Sequence, residues 1–168
     1  AGMTLSLKTS HSRTKIKGIG ADEFPLIPKI ENPQTFSLLS SVLQEAITQV
    51  VFSASPHLSR PALSGILFLC EKDTLSLVST DSFRLSEKNI HLMEKVKQPI
   101  HCIIPAKTII ELGKILSTLL KETDVQITIS QTQVLFEMQN IKLMSRLIEG
   151  VFPEYKKIIP ESNKTKAI

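Results

Sequence analysis

Apolar residues recur along this chain with two different spacings. In LLSSVLQEAITQVV, the residues Leu39, Val42, Leu43, Ala46, Ile47 and Val50 fall at intervals of three and four, which places them on one face of a helix. Ser40 or Ser41 stands where a side-chain oxygen would cap the first turn. In PAKTIIELGKILSTLL the stripe is Ile109, Leu112, Ile115, Leu116 and Leu119, and Pro105 suits a first helical turn, where no backbone N–H is needed. Two helices are predicted.

The other spacing is two, the period of a strand with one buried face. Alternation is clearest in LSLVST and VQITIS. Strands are predicted over Thr35–Leu38, Leu63–Cys70, Leu75–Thr80, Arg84–Leu92, Ile100–Ile104, Val125–Ile129, Gln133–Met138 and Ile141–Leu147. Taken in order, the elements repeat: a strand, a helix and three strands, then the same again.

A unit of about 65 residues used twice is too long and too few for a solenoid. The halves are expected to pair as one pseudo-symmetric α+β domain over 27–160, with antiparallel sheets outside and both helices together on one side. Pro28 and Pro33 bracket its start. Residues 1–26 stand outside the repeat. TLSLK and RTKIK alternate like two strands of a hairpin, which is marginal alone in water and reads as the tail of a preceding domain. Residues 161–168, in the polar stretch ESNKTKAI, read as the start of a linker.

Composition narrows the class. With 42% hydrophobic and 21% charged residues the chain is globular. The net charge of +4 is scattered, without the basic block of a nucleic-acid arm. Cys70 and Cys102 each sit in an apolar run and read as buried thiols rather than a disulfide framework or metal ligands. With no apolar run near the ~18 residues of a membrane span, the expected setting is a reducing cytoplasm.

Catalytic chemistry finds no foothold. His11, His57, His91 and His101 stand in no nucleophile, zinc or acid–base motif, and no glycine-rich phosphate loop follows a strand. Asp81 is better read as closing a turn, its carboxylate accepting from nearby backbone N–H groups. No catalytic residue, metal ligand or cofactor is assigned.

Several segments together resemble the bacterial DNA polymerase III β subunit, the sliding clamp: RPALSGILF (60–68), LVSTDSFRLS (77–86), IIPAKTIIEL (103–112) and SRLIEGVFPEYKKIIP (145–160), with GADEFP (20–25) upstream. The resemblance implies the DNA-clamp fold, in which the strand–helix–three-strand unit is used twice, and it identifies the chain with the middle of three similar domains. It implies a non-catalytic processivity factor: a homodimeric ring that encircles duplex DNA and takes polymerase III catalytic subunit, clamp loader and other clamp-binding-motif proteins as partners. This stretch alone would be monomeric, because the ring closes through the other two domains.

For DNA, the resemblance points to Arg60, in the loop SASPHLSRPA, and to Lys107, Lys114 and Lys121 on the second helix. A solvated helix face is an equal reading for those lysines, and the first helix carries no cation between Phe36 and Ala54. For partner peptides with a glutamine and a following Leu/Phe pair, it implies a pocket of Leu63, Thr80, Ser82, Phe83, Arg84, Leu85, Pro153, Lys157 and Ile158. Leu63, Leu85, Pro153 and Ile158 would form an apolar cup worth about 1.5–3 kcal/mol for each buried anchor. Arg84 and Lys157 would meet carbonyls or acidic flanks at the rim. Core packing is an equal reading for Leu63, Leu85 and Ile158.

The chain departs from the family's usual corner, Thr-Asp-Gly-His-Arg-Leu, by having Ser82 and Phe83. Serine takes positive φ less freely than glycine, so a different or strained turn is expected, and a pocket shifted towards aromatic and aliphatic contacts. The competing reading is a stand-alone nucleic-acid-binding domain, which would bind duplex strongly and with steep salt dependence.

Overall fold

The computed structural model describes residues 3–23, 32–57 and 59–159. Phe24 and Pro25 of GADEFP, the Pro28 boundary, Leu58, Pro160 and the linker assigned to 161–168 lie outside these residues. A hairpin of β1 (Thr4–Lys8) and β2 (Arg13–Lys17) comes first. Its turn is held by Thr9, whose Oγ1 accepts from the N–H groups of His11 and Ser12. Every residue of both strands is exposed, including the cross-strand pair Leu5 and Ile16.

The predicted repeat follows. β3 (Gln34–Leu39), α1 (Ser40–Val50), β4 (Gly65–Glu71), β5 (Thr74–Thr80) and β6 (Leu85–His91) make the first unit. β7 (Ile100–Pro105), α2 (Ala106–Ser117), β8 (Asp124–Ile129), β9 (Gln133–Met138) and β10 (Ile141–Arg146) make the second. Each unit gives its first strand to the other's sheet: the orders are β10-β9-β8-β3 and β6-β5-β4-β7, all antiparallel.

Period-two patterning sets the faces. In β3 Phe36 and Leu38 point inward opposite Ile127 and Val125, while the exposed Thr35 bonds Thr128 across the ladder, hydroxyl to hydroxyl, at 3.3 Å. Both sheets and both helices close over one core that includes Leu43, Ile47, Phe68, Leu77, Ile104, Leu112, Ile127 and Phe136. The helices lie side by side, as expected, and pack tightly at Gly113, where an added Cβ would stand 3.2 Å from Ile47 Cγ2.

Several boundaries differ from the expectation, each for a physical reason. Neither Ser40 nor Ser41 caps α1 from the N-cap position, which Leu39 occupies. Instead Glu122, from the connection after α2, accepts from Ser41 N–H at 3.1 Å and from Ser40 Oγ at 3.3 Å, while Ser40 Oγ accepts from Thr123 N–H at 3.1 Å. Pro105 is the last residue of β7 rather than part of the first helical turn, with ψ 129°. An edge strand tolerates the missing donor there.

β4 begins at Gly65 and not at Leu63, because Pro61–Ser64 winds into a 3₁₀ turn closed by Ser64 Oγ donating to Pro61 O at 2.8 Å. α2 stops at Ser117, where the Ser117 and Thr118 hydroxyls bond the carbonyls of Lys114 and Ile115. Leu119 lies past that end but still packs on the core.

Candidate functional site

The β5–β6 connection is four residues long, since Thr80 and Leu85 still pair across the ladder. Its side chains hold it together. Thr80 Oγ1 donates to Arg84 O at 2.7 Å and accepts from Ser82 N–H at 3.1 Å. Asp81 Oδ1 accepts from the N–H groups of Phe83 and Arg84 at 2.9 and 3.0 Å, and Oδ2 pairs with Arg84 Nε at 3.0 Å. Those two backbone donors, and then the Arg84 charge, hold the Asp81 carboxyl below the usual range.

Ser82 takes φ 80°, so the serine occupies the left-handed conformation that glycine would take without cost. Its hydroxyl accepts from Arg60 Nη1 at 3.2 Å, which ties the Pro61–Ser64 turn to the corner. Phe83 projects into solvent at 98% exposure. Arg84 lies with its guanidinium carbon 5.8 Å from the centre of the Phe52 ring.

Beside the corner, the outer face of the second sheet carries a smaller apolar group. Leu67, Val78 and Ile103 are covered there by Phe152 and Tyr155, whose rings meet edge to face at 6.5 Å and 80°. Ala62, Leu69, Leu85 and Ile148 pack around them. Tyr155 Oη donates to Glu87 Oε1 at 2.8 Å, anchoring the Tyr155–Lys157 3₁₀ turn to β6. Burial, reinforced by the Glu87 carboxylate, pushes the Tyr155 phenol up.

The nine residues of the implied pocket therefore fall into two groups. Thr80, Ser82, Phe83, Arg84 and Leu85 form the corner, with Leu63 buried at 6% exposure in the turn that Arg60 ties to it. Pro153 and Lys157 line a depression of about 340 Å³ together with Leu67, Leu69, His101 and Phe152. Ile158 is 65% exposed just beyond, and Lys157 pairs with Glu154. Leu85, packed against the Phe152–Tyr155 group, joins the two.

Core packing thus accounts for Leu63 and half of Leu85, and not for Ile158. Phe52, Phe152, Tyr155 and Glu87 were given no role by the sequence reading. The Phe-x-x-Tyr spacing at 152 and 155 was the available signal for two of them, and nothing local marks Phe52 or Glu87.

The cations are spread. Lys107 is exposed on α2, and Lys114 pairs with Glu111 at 2.8 Å. Lys121 does not lie on the helix, which ends at Ser117, but in the connection that follows. α1 carries no lysine or arginine, and its Glu45 is paired with Lys88 of β6 at 2.9 Å. Cys70 and Cys102 are free and buried, which pushes their thiols up to about 11 and about 12. Among the described residues no three His, Cys, Asp or Glu side chains gather as metal ligands, and no helix is long and apolar enough to cross a membrane.

Comparison with known proteins gives the family and the fold. The family described as "DNA polymerase III beta subunit, central domain" matches residues 37–154. The beta sliding clamp of Staphylococcus aureus is 34% identical over 160 residues, which is 95% of this chain and 42% of that protein. That of Bacillus subtilis is 33% identical over 162 residues, covering 96% and 42%.

Among solved structures, the B. subtilis DNA polymerase sliding clamp superposes with a TM-score of 0.83 at 31% identity, over 95% of this chain and 41% of that one. A Pseudomonas aeruginosa sliding clamp bound to griselimycin gives 0.81 at 25% identity, over 96% and 43%. The chain thus spans well under half the length of the relatives it matches.

Proposed function

The chain belongs to the DNA polymerase III beta subunit family, of which it carries the central domain, and on that footing we propose that it works as one domain of a ring-shaped sliding clamp. The ring encircles duplex DNA and tethers the polymerase III catalytic subunit, the clamp loader and other partners that carry a clamp-binding segment. No step of this role calls for a catalytic residue, cofactor or metal. The part proposed for this domain is partner docking at Leu63, Thr80–Leu85, Pro153, Lys157 and Ile158.

One observation carries the docking reading: the corner and the 152–158 segment meet across a second apolar group that lies outside the main core. Around it Phe83, Arg84, Pro153 and Ile158 stay open to solvent. A rim of that composition suits a short extended peptide with leucine or phenylalanine anchors. That a related clamp, from P. aeruginosa, is described as bound to griselimycin fits a family that offers a ligand site.

The test is fluorescence anisotropy with a labelled peptide that carries a glutamine and a following Leu/Phe pair. Arg84→Ala and Leu63→Asp are expected to weaken binding at least several-fold, with melting curves reporting whether Leu63→Asp still folds. Unchanged affinity for both would refute the pocket.

For DNA the proposed contact is long-range and independent of sequence, through Arg60, Lys107, Lys114 and Lys121. The pairing of Lys114 with Glu111 and of Glu45 with Lys88 leaves little net charge on the helix face. A labelled duplex should therefore bind this chain weakly at physiological salt. Strong binding that falls steeply with added salt would favour the stand-alone nucleic-acid-binding reading instead.

A further inference from the structure

Phe52 has no packing reason to be aromatic. It follows α1 in the 3₁₀ turn Val51–Ser53, is 56% exposed, and belongs to neither apolar group. The ring nevertheless stands under a charged partner, with the Arg84 guanidinium carbon 5.8 Å from its centre, inside the ~6 Å range in which a ring face attracts a cation.

The backbone that presents the ring is fixed to both flanks of the corner. Ser79, next to Thr80 at the end of β5, donates its hydroxyl to Val50 O, and the hydroxyls of Ser53 and Ser86 meet at 2.6 Å. Three residues at the end of α1 thus bind the strand before the corner, the strand after it and the corner's arginine.

Arg84 is held from two directions. Asp81 takes the Nε–H at 3.0 Å, and the Phe52 ring lies against the guanidinium. Among the described residues Nη1 and Nη2 of Arg84 make no hydrogen bond. An arginine on an exposed loop otherwise samples many rotamers, and holding it still reduces the entropy lost when a ligand binds.

We propose that Phe52 is a positioning residue for partner docking: its ring and Asp81 together fix the Arg84 guanidinium so that the Nη edge faces an incoming peptide carbonyl or carboxylate. The inference rests on the docking reading above. It assigns the aromatic side chain at the end of α1 to the work of the corner, 32 positions further along the chain.

The experiment is a double-mutant cycle on the 168-residue chain, with the same labelled glutamine–Leu/Phe peptide. Phe52→Leu keeps an apolar side chain and removes the ring; it is expected to weaken binding about two- to five-fold, the size of an exposed cation–ring contact. Phe52→Trp restores the ring and should bind as the parent does. In an Arg84→Ala background Phe52→Leu should change nothing further. A readout without peptide is the Arg84 Nε–H proton resonance, which should be shifted by the ring current and return to the free-arginine position in Phe52→Leu.

A parent-like affinity for Phe52→Leu, an equal loss with or without Arg84, or an unshifted Arg84 resonance would each overturn the inference while leaving docking intact. An Arg84→Ala variant that binds as the parent does would overturn this inference; failure of the parent to bind, or unchanged affinity for both Arg84→Ala and Leu63→Asp, would overturn the docking reading and this inference with it.

Discussion

Ser82 is the residue whose conformation is most at odds with its side chain. At φ 80° a Cβ is crowded by the following carbonyl, an effect of about 1–2 kcal/mol, which the Thr80, Asp81 and Arg60 hydrogen bonds around it offset. Ser82→Gly removes the crowding but loses the Arg60 contact and gains unfolded-state freedom. A net stabilisation of about 0.5–1 kcal/mol is expected as a rise in the urea midpoint at unchanged slope.

Asp81 has the opposite character, a side chain well suited to its place. Its folded pKa lies below the unfolded one, so the stability it contributes is present above the ordinary carboxylate range and is lost as pH falls through the folded value. Asp81→Asn should flatten that acid limb of a melting-temperature profile and leave the neutral limb nearly parallel to the parent. From the residues alone, Asp81 was legible as a turn former and Ser82 as a conformational oddity, because both follow from local backbone chemistry. Phe52 was not, because its partner Arg84 is brought to it only by folding.

At the scale of elements, the helices and strands mostly run where their periodicity places them, and the exceptions are ends. α1 takes its cap from Glu122, 82 positions beyond Ser40, so no local motif announces it. The backbone N–H of Ser41 holds the Glu122 carboxyl low, as a donor at a helix start should. Glu122→Ala is expected to lower the melting temperature at neutral pH, and the difference should vanish once acid protonates the parent's carboxylate.

A second element-scale constraint is Gly65, at the start of β4. A Cβ there would stand 2.5 Å from Ile103 Cγ2 and 2.9 Å from both Ile104 O and Ile148 Cδ1. Gly65→Ala forces β4 away from β7 and should cost about 1–3 kcal/mol, read as a lower urea midpoint. Glycine in SGILF was visible in the sequence, but the neighbours that require it were not.

For the whole molecule, the exchange of first strands makes the two units interdependent. Among the described residues β3 pairs only with β8 of the other unit, and β7 pairs only with β4. Neither half has a complete sheet without the other. Residues 32–99 and 100–159 expressed separately are therefore expected to lack the far-ultraviolet signal of folded strands, while the joined chain unfolds in a single transition. Two independent transitions would contradict this.

The same arrangement sets the two helices together on one side, with the β5–β6 corner beside the C-terminal end of α1. It is through that end that Phe52 reaches Arg84.

The sequence by itself determined the elements, their order, the doubled unit and, through RPALSGILF, TDSFRL and GVFPEY, the family. Each of these is written in local patterns: spacings of two and of three to four for buried faces, turn chemistry at the joints, and short motifs in a fixed order. Only the tertiary structure decided which strand lies beside which, because alternation says which face is buried and not which neighbour buries it. It likewise decided that Glu122 caps α1, that Tyr155 leans on Glu87, and that Leu63 and Ile158, similar as letters, end respectively buried and exposed. Those contacts join residues tens of positions apart, and an apolar or charged side chain carries no record of its partner until packing brings the two within a few ångströms.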